Sequence, residues 1–365
     1  MAKTILFLLH GMGRFEKEWA KETIAQLNEL PDTYDYSWIT TDPADGTTKR
    51  TFADLVDCIP IQYDHVFDRY LKQWGASTEA LSAKAKEFGV DLSRVLGWLE
   101  HADEVEKNFF WTHVVDVLLY RFFSIVTAEV RVRVRDAIAE KLEEASRDGQ
   151  IVSASVLAYS LGTAVAHDAL ALLGTQPIPT PAGPNNAWLA DNFTFDSIFM
   201  CANVGRVLET VPRVYQSVVR PATSVDQPSY FNSYYNFRHA LDPFPAVRPF
   251  GPLGWGSRYI EGESGTKVMQ FDVHSFTHYL ADPRVHALVY RGLFGSAAVS
   301  APQFKKAKTQ YDALPEPKCI AELTHFKSAA QRIIALAQTG ADPNALVIGG
   351  VQFLAAAEEA RVACP

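Results

Sequence analysis

Cysteine is scarce in this chain: Cys58, Cys201, Cys319 and Cys364 are the only four in 365 residues. They are too scattered for a CxxC zinc site or a disulfide-dense scaffold. Positive charge is also short. Lys and Arg total 34 against 42 Asp and Glu, a net charge of −8, which leaves no basic footprint for a nucleic-acid backbone. No apolar run is long enough to span a bilayer. The N-terminal run, Ile5 to Leu9, is too short for a signal-peptide core, and no small-x-small cleavage site follows it. The expectation is a cytoplasmic protein with no transmembrane segment. A GxxxxGK[ST] phosphate loop and an HExxH zinc helix are absent as well. What remains, 48% hydrophobic and 21% charged residues, is an ordinary globular balance that excludes a mainly disordered or collagen-like chain. The length suits two or three small domains, or one large α/β domain with insertions.

Continuous apolar, β-compatible runs recur along the chain, each followed by a helical pattern. Thr4 to Leu9 reads as a strand buried on both faces. Phe15 to Leu30 reads as a helix stopped by Pro31, and Tyr34 to Thr40 as a second strand. Val130 to Ala145 is a long helix. Ile151 to Ala158 is another buried strand, and Thr163 to Leu173 the helix after it. A Pro/Gly/Asn-rich loop spans Gln176 to Asn186. Phe193 to Val204, Tyr234 to Leu241 and Lys267 to Val273 read as strands, and Pro283 to Leu293 as a helix. This order predicts an α/β fold, a mostly parallel central sheet with helices on both faces. Residues 51–111 show helical patterns and no convincing strand, as an inserted cap would. Residues 299–365 form an Ala-rich helical extension, Ile320 to Thr339 and Asn344 to Val362, expected to supply no catalytic group.

The most informative segment runs from Ile151 to Leu170. Its strand ends at Ala158-Tyr159-Ser160-Leu161-Gly162, and a helix starts at once. Small residues two before and two after the serine permit a sharp turn. The helix N-terminus behind it presents free N–H groups. A serine at that position also suits a simple helix N-cap. The first strand ends in His10-Gly11-Met12-Gly13. Gly11-Met-Gly13 after a strand also fits the start of a dinucleotide fingerprint, but the third glycine falls at Glu16, whose carboxylate would repel a pyrophosphate.

Together these segments resemble the α/β-hydrolase superfamily, whose serine sits on such an elbow and whose early His-Gly loop shapes an oxyanion hole. Ala158 stands where the family usually has glycine. The resemblance covers roughly Lys3 to Phe294, within a hydrolase domain of residues 1–298. It implies a serine, an acid and a histidine in that chain order. Downstream of Ser160, Asp242 follows the Tyr234 strand, and His274 follows the Lys267 run. His278 competes with His274 for the role of base. Asp196 and Asp272 are weaker acids, the first mid-strand and the second only two positions before His274. The implied roles are Ser160 as nucleophile, His274 as base, Asp242 as its orienting acid, and the backbone amides of Met12 and Leu161 as the oxyanion hole. His10 would orient the loop. No cofactor and no metal is implied, although His274 and His278 have the spacing of a ligand pair. His113, His167 and His239 read as ordinary histidines. Phe109 to Trp111, Leu118 to Tyr120 and the aromatic stretch Tyr230 to Trp255 are candidate walls of an acyl pocket, or core. The expected activity is cleavage of a small-molecule acyl ester, thioester or lipid. The alternative is a catalytically silent scaffold of the same fold that binds a partner.

Overall fold

A computed structural model of the protein describes residues 4–13, 18–146, 153–175, 179–180, 183–184, 193–208, 215, 217–221, 229–339 and 342–364. Six strands form one sheet: β1 (Thr4–Leu9), β2 (Val56–Ile61), β3 (Ala154–Tyr159), β4 (Phe195–Cys201), β5 (Phe231–His239) and β6 (Tyr259–Ser264). Their order is β2-β1-β3-β4-β5-β6, and every pairing is parallel. The connections contain α1 (Lys21–Thr33), α2 (Asp64–Trp74), α3 (Thr78–Glu87), α4 (Ser93–His101), α5 (Glu104–Phe109), α6 (Val115–Phe122), α7 (Ser124–Ser146) and α8 (Leu161–Thr175). After β6 come α9 (Pro283–Phe294), α10 (Ala301–Ala313), α11 (Ile320–Gln338) and α12 (Pro343–Ala363).

Parallel strands need crossovers, and the crossovers bury both faces of the sheet. β1 shows the consequence. Leu6 and Leu8 join one core with Leu27 of α1 and Val289 of α9. Ile5, Phe7 and Leu9 join the opposite core with Val134 of α7 and Val165 of α8. Alternating side chains of one short strand therefore serve two separate cores, which is the α/β architecture the sequence pattern predicts.

Several elements differ from the sequence expectation, each for a physical reason. Tyr34 to Thr40 is not a strand: it contains a one-turn helix, Ser37–Thr40. Tyr34 and Tyr36 are buried core, with Tyr36 Oη 3.0 Å from His286 Nε2 on α9. Pro31 does not stop α1 but lies inside it. Proline removes the donor for the carbonyl four residues earlier. Here that carbonyl, Leu27 O, accepts from the Tyr290 hydroxyl at 2.9 Å. The second strand of the sheet is instead β2, inside the interval 51–111, so that interval is not an all-helical insertion. β2 reads Val-Asp-Cys-Ile-Pro-Ile, a pattern with proline and a charge that only an edge strand tolerates. Lys267 to Val273 forms no strand either. The last strand ends at Ser264 and a loop carries the chain on to His274. Most of the Gln176 to Asn186 loop lies outside the described residues, as does the start of the helix expected from Phe15.

The helical extension closes on itself. α11 and α12 have 19 and 21 residues, so at 1.5 Å per residue both are about 30 Å long. Two helices of nearly equal length, with four residues between them in sequence, can bring their outer ends together. Cys319 and Cys364 stand at those ends and form a disulfide across a separation of 45 residues. Scattered in sequence, the two cysteines meet only because the hairpin folds. Replacing Cys364 by serine is expected to cost about 2–4 kcal/mol of hairpin stability, since an open loop of this length regains chain entropy. Faster amide hydrogen exchange across α11 and α12 in the variant is the check. Unchanged exchange would refute it.

Among the described residues no single helix is long and apolar enough to cross a membrane. The pair α5–α6 and α7 passes by composition only as a bent pair, folded at 98°.

Candidate active site

β1 and β3 are neighbours, while the chain leaves β1 toward β2 on the other side. The strand order therefore reverses between β1 and β3. A crevice opens at the carboxyl ends of strands at such a switch point. Register pairs Leu9 with Ala158, so the next residues on each strand, His10-Gly11 and Tyr159-Ser160, emerge side by side at that crevice.

Ser160 sits on the turn between β3 and α8 with φ at +52°. This left-handed conformation costs a non-glycine residue of order 1 kcal/mol or more. The turn is held from several sides. Ser160 N donates to Cys201 O at 3.0 Å, and Thr163 N donates to Ser160 O at 2.9 Å. The Thr163 hydroxyl donates to the same carbonyl at 2.7 Å. Thr163 Oγ1 in turn accepts from Val204 N at 3.0 Å.

Two glycines let the strands approach. A Cβ on Gly162 would lie 2.2 Å from His10 O and 2.9 Å from Leu9 O. A Cβ on Gly11 would lie 2.9 Å from Ser160 Cβ. Gly162→Ala is therefore expected to destabilise the protein by about 1–3 kcal/mol or more through overpacking against backbone. It should also push the His10–Gly13 loop off the serine and lower any Ser160-dependent activity. A variant with wild-type midpoint in denaturant would show that this contact yields.

The three residues singled out in sequence meet in space. Ser160 Oγ is 2.7 Å from His274 Nε2, and His274 Nδ1 is 2.7 Å from Asp242 Oδ2. All three are buried. Asp242 is fully enclosed. Its Oδ2 also accepts from the Tyr279 hydroxyl at 2.8 Å, and its Oδ1 accepts from Phe244 N at 3.1 Å as the cap of a one-turn helix, Pro243–Val247. Burial first, and the neighbouring Asp242 carboxylate second, push the Tyr279 hydroxyl pKa well above its ordinary value. It therefore stays a donor to Asp242. Phe244 covers the imidazole of His274 from 4.4 Å, and Tyr159 flanks it at 5.3 Å.

The rival residues lie elsewhere. His278 has its two ring nitrogens without a hydrogen-bond partner among the described residues. It stands edge-on to His239, with ring centroids 5.0 Å apart. Burial, then the charge of His239, hold its pKa down at about 3, so it is a neutral core histidine. Asp272 hydrogen-bonds the backbone N–H of His274, while the ring Nδ1 meets Asp242. Asp196 is at the opposite end of its strand, where its Oδ2 accepts from Ser153 Oγ. Among the described residues no group of three or more His, Cys, Asp or Glu is placed to hold a metal ion.

The two amides that sequence associates with the serine come from different segments, Met12 from the loop after β1 and Leu161 from the first residue of α8. Met12 N and Leu161 N donate to no protein acceptor among the described residues. Gly13 N donates to Asp116 Oδ2 at 3.1 Å, a buried carboxylate on α6 that pins the loop. His10 lies face to face on Tyr63, ring centroids 4.1 Å apart. Its Nδ1 is 2.9 Å from Gly11 O, and Tyr63 donates its hydroxyl to His10 O. Burial holds the His10 pKa at about 4, so a neutral ring braces the loop.

A cavity of about 730 Å³ is lined by His274, by Tyr159, which precedes the buried Ser160, and by Met12 of the loop after β1, and is within the range of small-molecule sites. Its walls include Met12, Tyr159, His274 and Phe276 from the sheet side, Val105 and Phe109 from α5, and Leu354 and Ala357 from α12. Within the interval 51–111, only residues of α5 reach it. The tail contributes more than the sequence predicts. Besides lining the cavity, α12 places Phe353 against Phe244, at 6.1 Å, and thereby backs the residue that covers His274. Of the aromatic sets, Phe109 faces the cavity, whereas Leu118, Leu119 and Tyr120 are core and Tyr120 donates to Asp168 at 2.8 Å.

His113 is the unforeseen member. It lines the cavity from the π-helical turn Phe110–Val114, which joins α5 to α6. π-turns recur at functional sites, but no sequence pattern distinguishes this one. Burial, then the proximity of His274, lower the His113 pKa to about 4.

No family model matches the chain, and no curated protein does. A solved structure, described as an uncharacterized protein from Pseudomonas aeruginosa, is similar at 13% identity with a TM-score of 0.33. The match covers 95% of this chain and 52% of that one, so this chain spans about half of its length.

Proposed function

We propose that this protein is a serine hydrolase of the α/β-hydrolase type, cleaving a carboxylic ester, thioester or lipid acyl bond through an acyl-enzyme. The observation that carries the reading is the unbroken relay from Ser160 Oγ through His274 to the buried Asp242 carboxylate. In this mechanism Ser160 Oγ attacks the acyl carbon while His274 Nε2 takes its proton. Asp242 keeps the proton of His274 on Nδ1, so that Nε2 offers its lone pair, and it stabilises the imidazolium that forms. The backbone amides of Met12 and Leu161 stabilise the oxyanion, a contribution typically worth about 100- to 1000-fold per donor. His274 then protonates the leaving group. A water activated by the same nitrogen releases the acyl group and restores Ser160.

The strand order supports the family assignment. Serine follows the third sheet strand in sequence, acid the fifth, and histidine the last, which is the family's chain order. The positive φ of Ser160 favours chemistry over the silent-scaffold alternative. Backbone strain of this kind persists where the surrounding structure over-determines it, and it clusters at active sites. A fluorophosphonate probe tests the choice. Labelling that disappears in Ser160→Ala is expected. Failure to label the wild-type protein, together with no turnover of p-nitrophenyl or thioester substrates of any chain length, would favour the scaffold.

A further inference from the structure

The lone pair presented by His113 is fixed by its neighbours. Thr112 Oγ1 is 2.7 Å from Asn108 O and 2.6 Å from His113 Nδ1. A carbonyl oxygen only accepts, so the single hydroxyl proton of Thr112 goes to Asn108. Thr112 Oγ1 is then an acceptor toward the ring, and Nδ1 of His113 carries the hydrogen. In the neutral imidazole this leaves Nε2 as a bare acceptor. Nε2 has no hydrogen-bond partner among the described residues, and the ring lines the cavity that also holds His274. Asn108 and Phe109 line the same wall, and Phe109 rests against His113 with ring centroids 5.2 Å apart. The ring is thus held in place as well as in tautomer.

The charged part of the described lining is mostly acidic. Among the described residues, Glu22, Glu104, Asp272 and Glu358 face the cavity against one cation, Arg361. That arginine is already bonded to Glu358, with both nitrogen–oxygen distances at 2.6 Å. Beside the neutral donors of Thr23, Asn108, Ser275 and Thr277, the cavity thus presents carboxylates in excess of cations among the described residues.

We infer that His113 is a specificity-determining residue whose Nε2 accepts a hydrogen bond from a donor group, an ammonium or hydroxyl, carried by the substrate. The inference rests on the hydrolase reading and narrows it: the preferred substrates are acyl compounds bearing a donor and no negative charge. Free-carboxylate and phosphate-bearing chains are selected against. A site built to accept a hydrogen bond discriminates strongly against an analogue that lacks the donor, because its own polar group is then left unpaired.

The test uses the full-length protein and p-nitrophenyl esters of matched straight chains ending in ammonium, methyl or carboxylate, at several chain lengths. At the best length, kcat/KM should fall in that order, with ammonium over methyl by about 10-fold or more. His113→Phe should bring the ammonium-to-methyl ratio down by about the same factor. Thr112→Val, which removes the acceptor that holds the proton on Nδ1, should lower it too. The ratio is read rather than either rate alone, and melting temperature with fluorophosphonate labelling of Ser160 verifies that each variant is folded. A wild-type ratio near one at every length, or a ratio untouched by both variants, overturns the inference while leaving the hydrolase reading intact. If no ester is turned over and Ser160 is not labelled, both fail together.

Discussion

Replacing Ser160 with alanine is expected to lower ester hydrolysis by about 10⁴-fold or more, the usual weight of a triad serine, while the melting temperature stays near that of wild type. The two outcomes have separate causes. The lost hydroxyl is the only atom of the residue that would bond to substrate, and it packs no core. Alanine keeps the Cβ and so keeps the strain of the positive φ at this position. Ser160→Gly provides an internal comparison. It should be equally inactive yet more stable than Ser160→Ala by about 1 kcal/mol, because glycine adopts that backbone without penalty. Steady-state kinetics on a p-nitrophenyl ester and thermal unfolding of the three proteins measure both effects. Activity of the alanine variant within about threefold of wild type would be incompatible with a nucleophilic serine, whose loss has the weight given above.

The second large effect is expected at Asp242. Asp242→Asn retains size and can still cap the Pro243–Val247 turn through Phe244 N. It replaces an acceptor by an amide that can hold the wrong tautomer of His274. A drop in kcat of about 10³- to 10⁴-fold is expected, with KM changed far less. Tyr279→Phe removes the other donor to Asp242 Oδ2. A hydrogen bond to a charged group contributes about 1.5–3 kcal/mol, so this variant should lose stability by that order. Its kcat should fall much less than that of Asp242→Asn, since the carboxylate still meets His274. If Asp242→Asn were to retain most of its kcat, the carboxylate would be serving the fold alone.

Much of the site is legible in the sequence because its signals are local. A glycine two residues after Ser160, a helix beginning at once, and a strand just before fix the turn by chain connectivity. His10-Gly11 at the end of β1 is equally local. The contest between His274 and His278 is not. Four residues apart, both are compatible with one helical face. The tertiary structure separates them, because Ser275 caps the helix Phe276–Ala281. His274 is left before that cap, in the crevice, while His278 lies inside the helix, against His239.

Length and hydrophobic pattern were enough for the α/β class, since buried parallel strands must be continuously apolar. The same rule hid β2, an edge strand with one neighbour, which tolerates Asp57 and Pro60 and so does not look like its partners. It also made strands of Tyr34 to Thr40 and Lys267 to Val273, apolar for a different reason: they pack beneath helices. What only the folded chain decides is the cavity. Residues of α5 and of α12 are far apart in sequence and carry no mark of a common purpose. They line one cavity beside His274 because a helical hairpin closed by Cys319 and Cys364 brings α12 there. The proton position on His113 is decided there too, by a threonine hydroxyl whose hydrogen a carbonyl has already taken. Short-range sterics fix the elbow wherever this sequence is written. The cavity beside His274 exists only once long-range packing has brought its walls together.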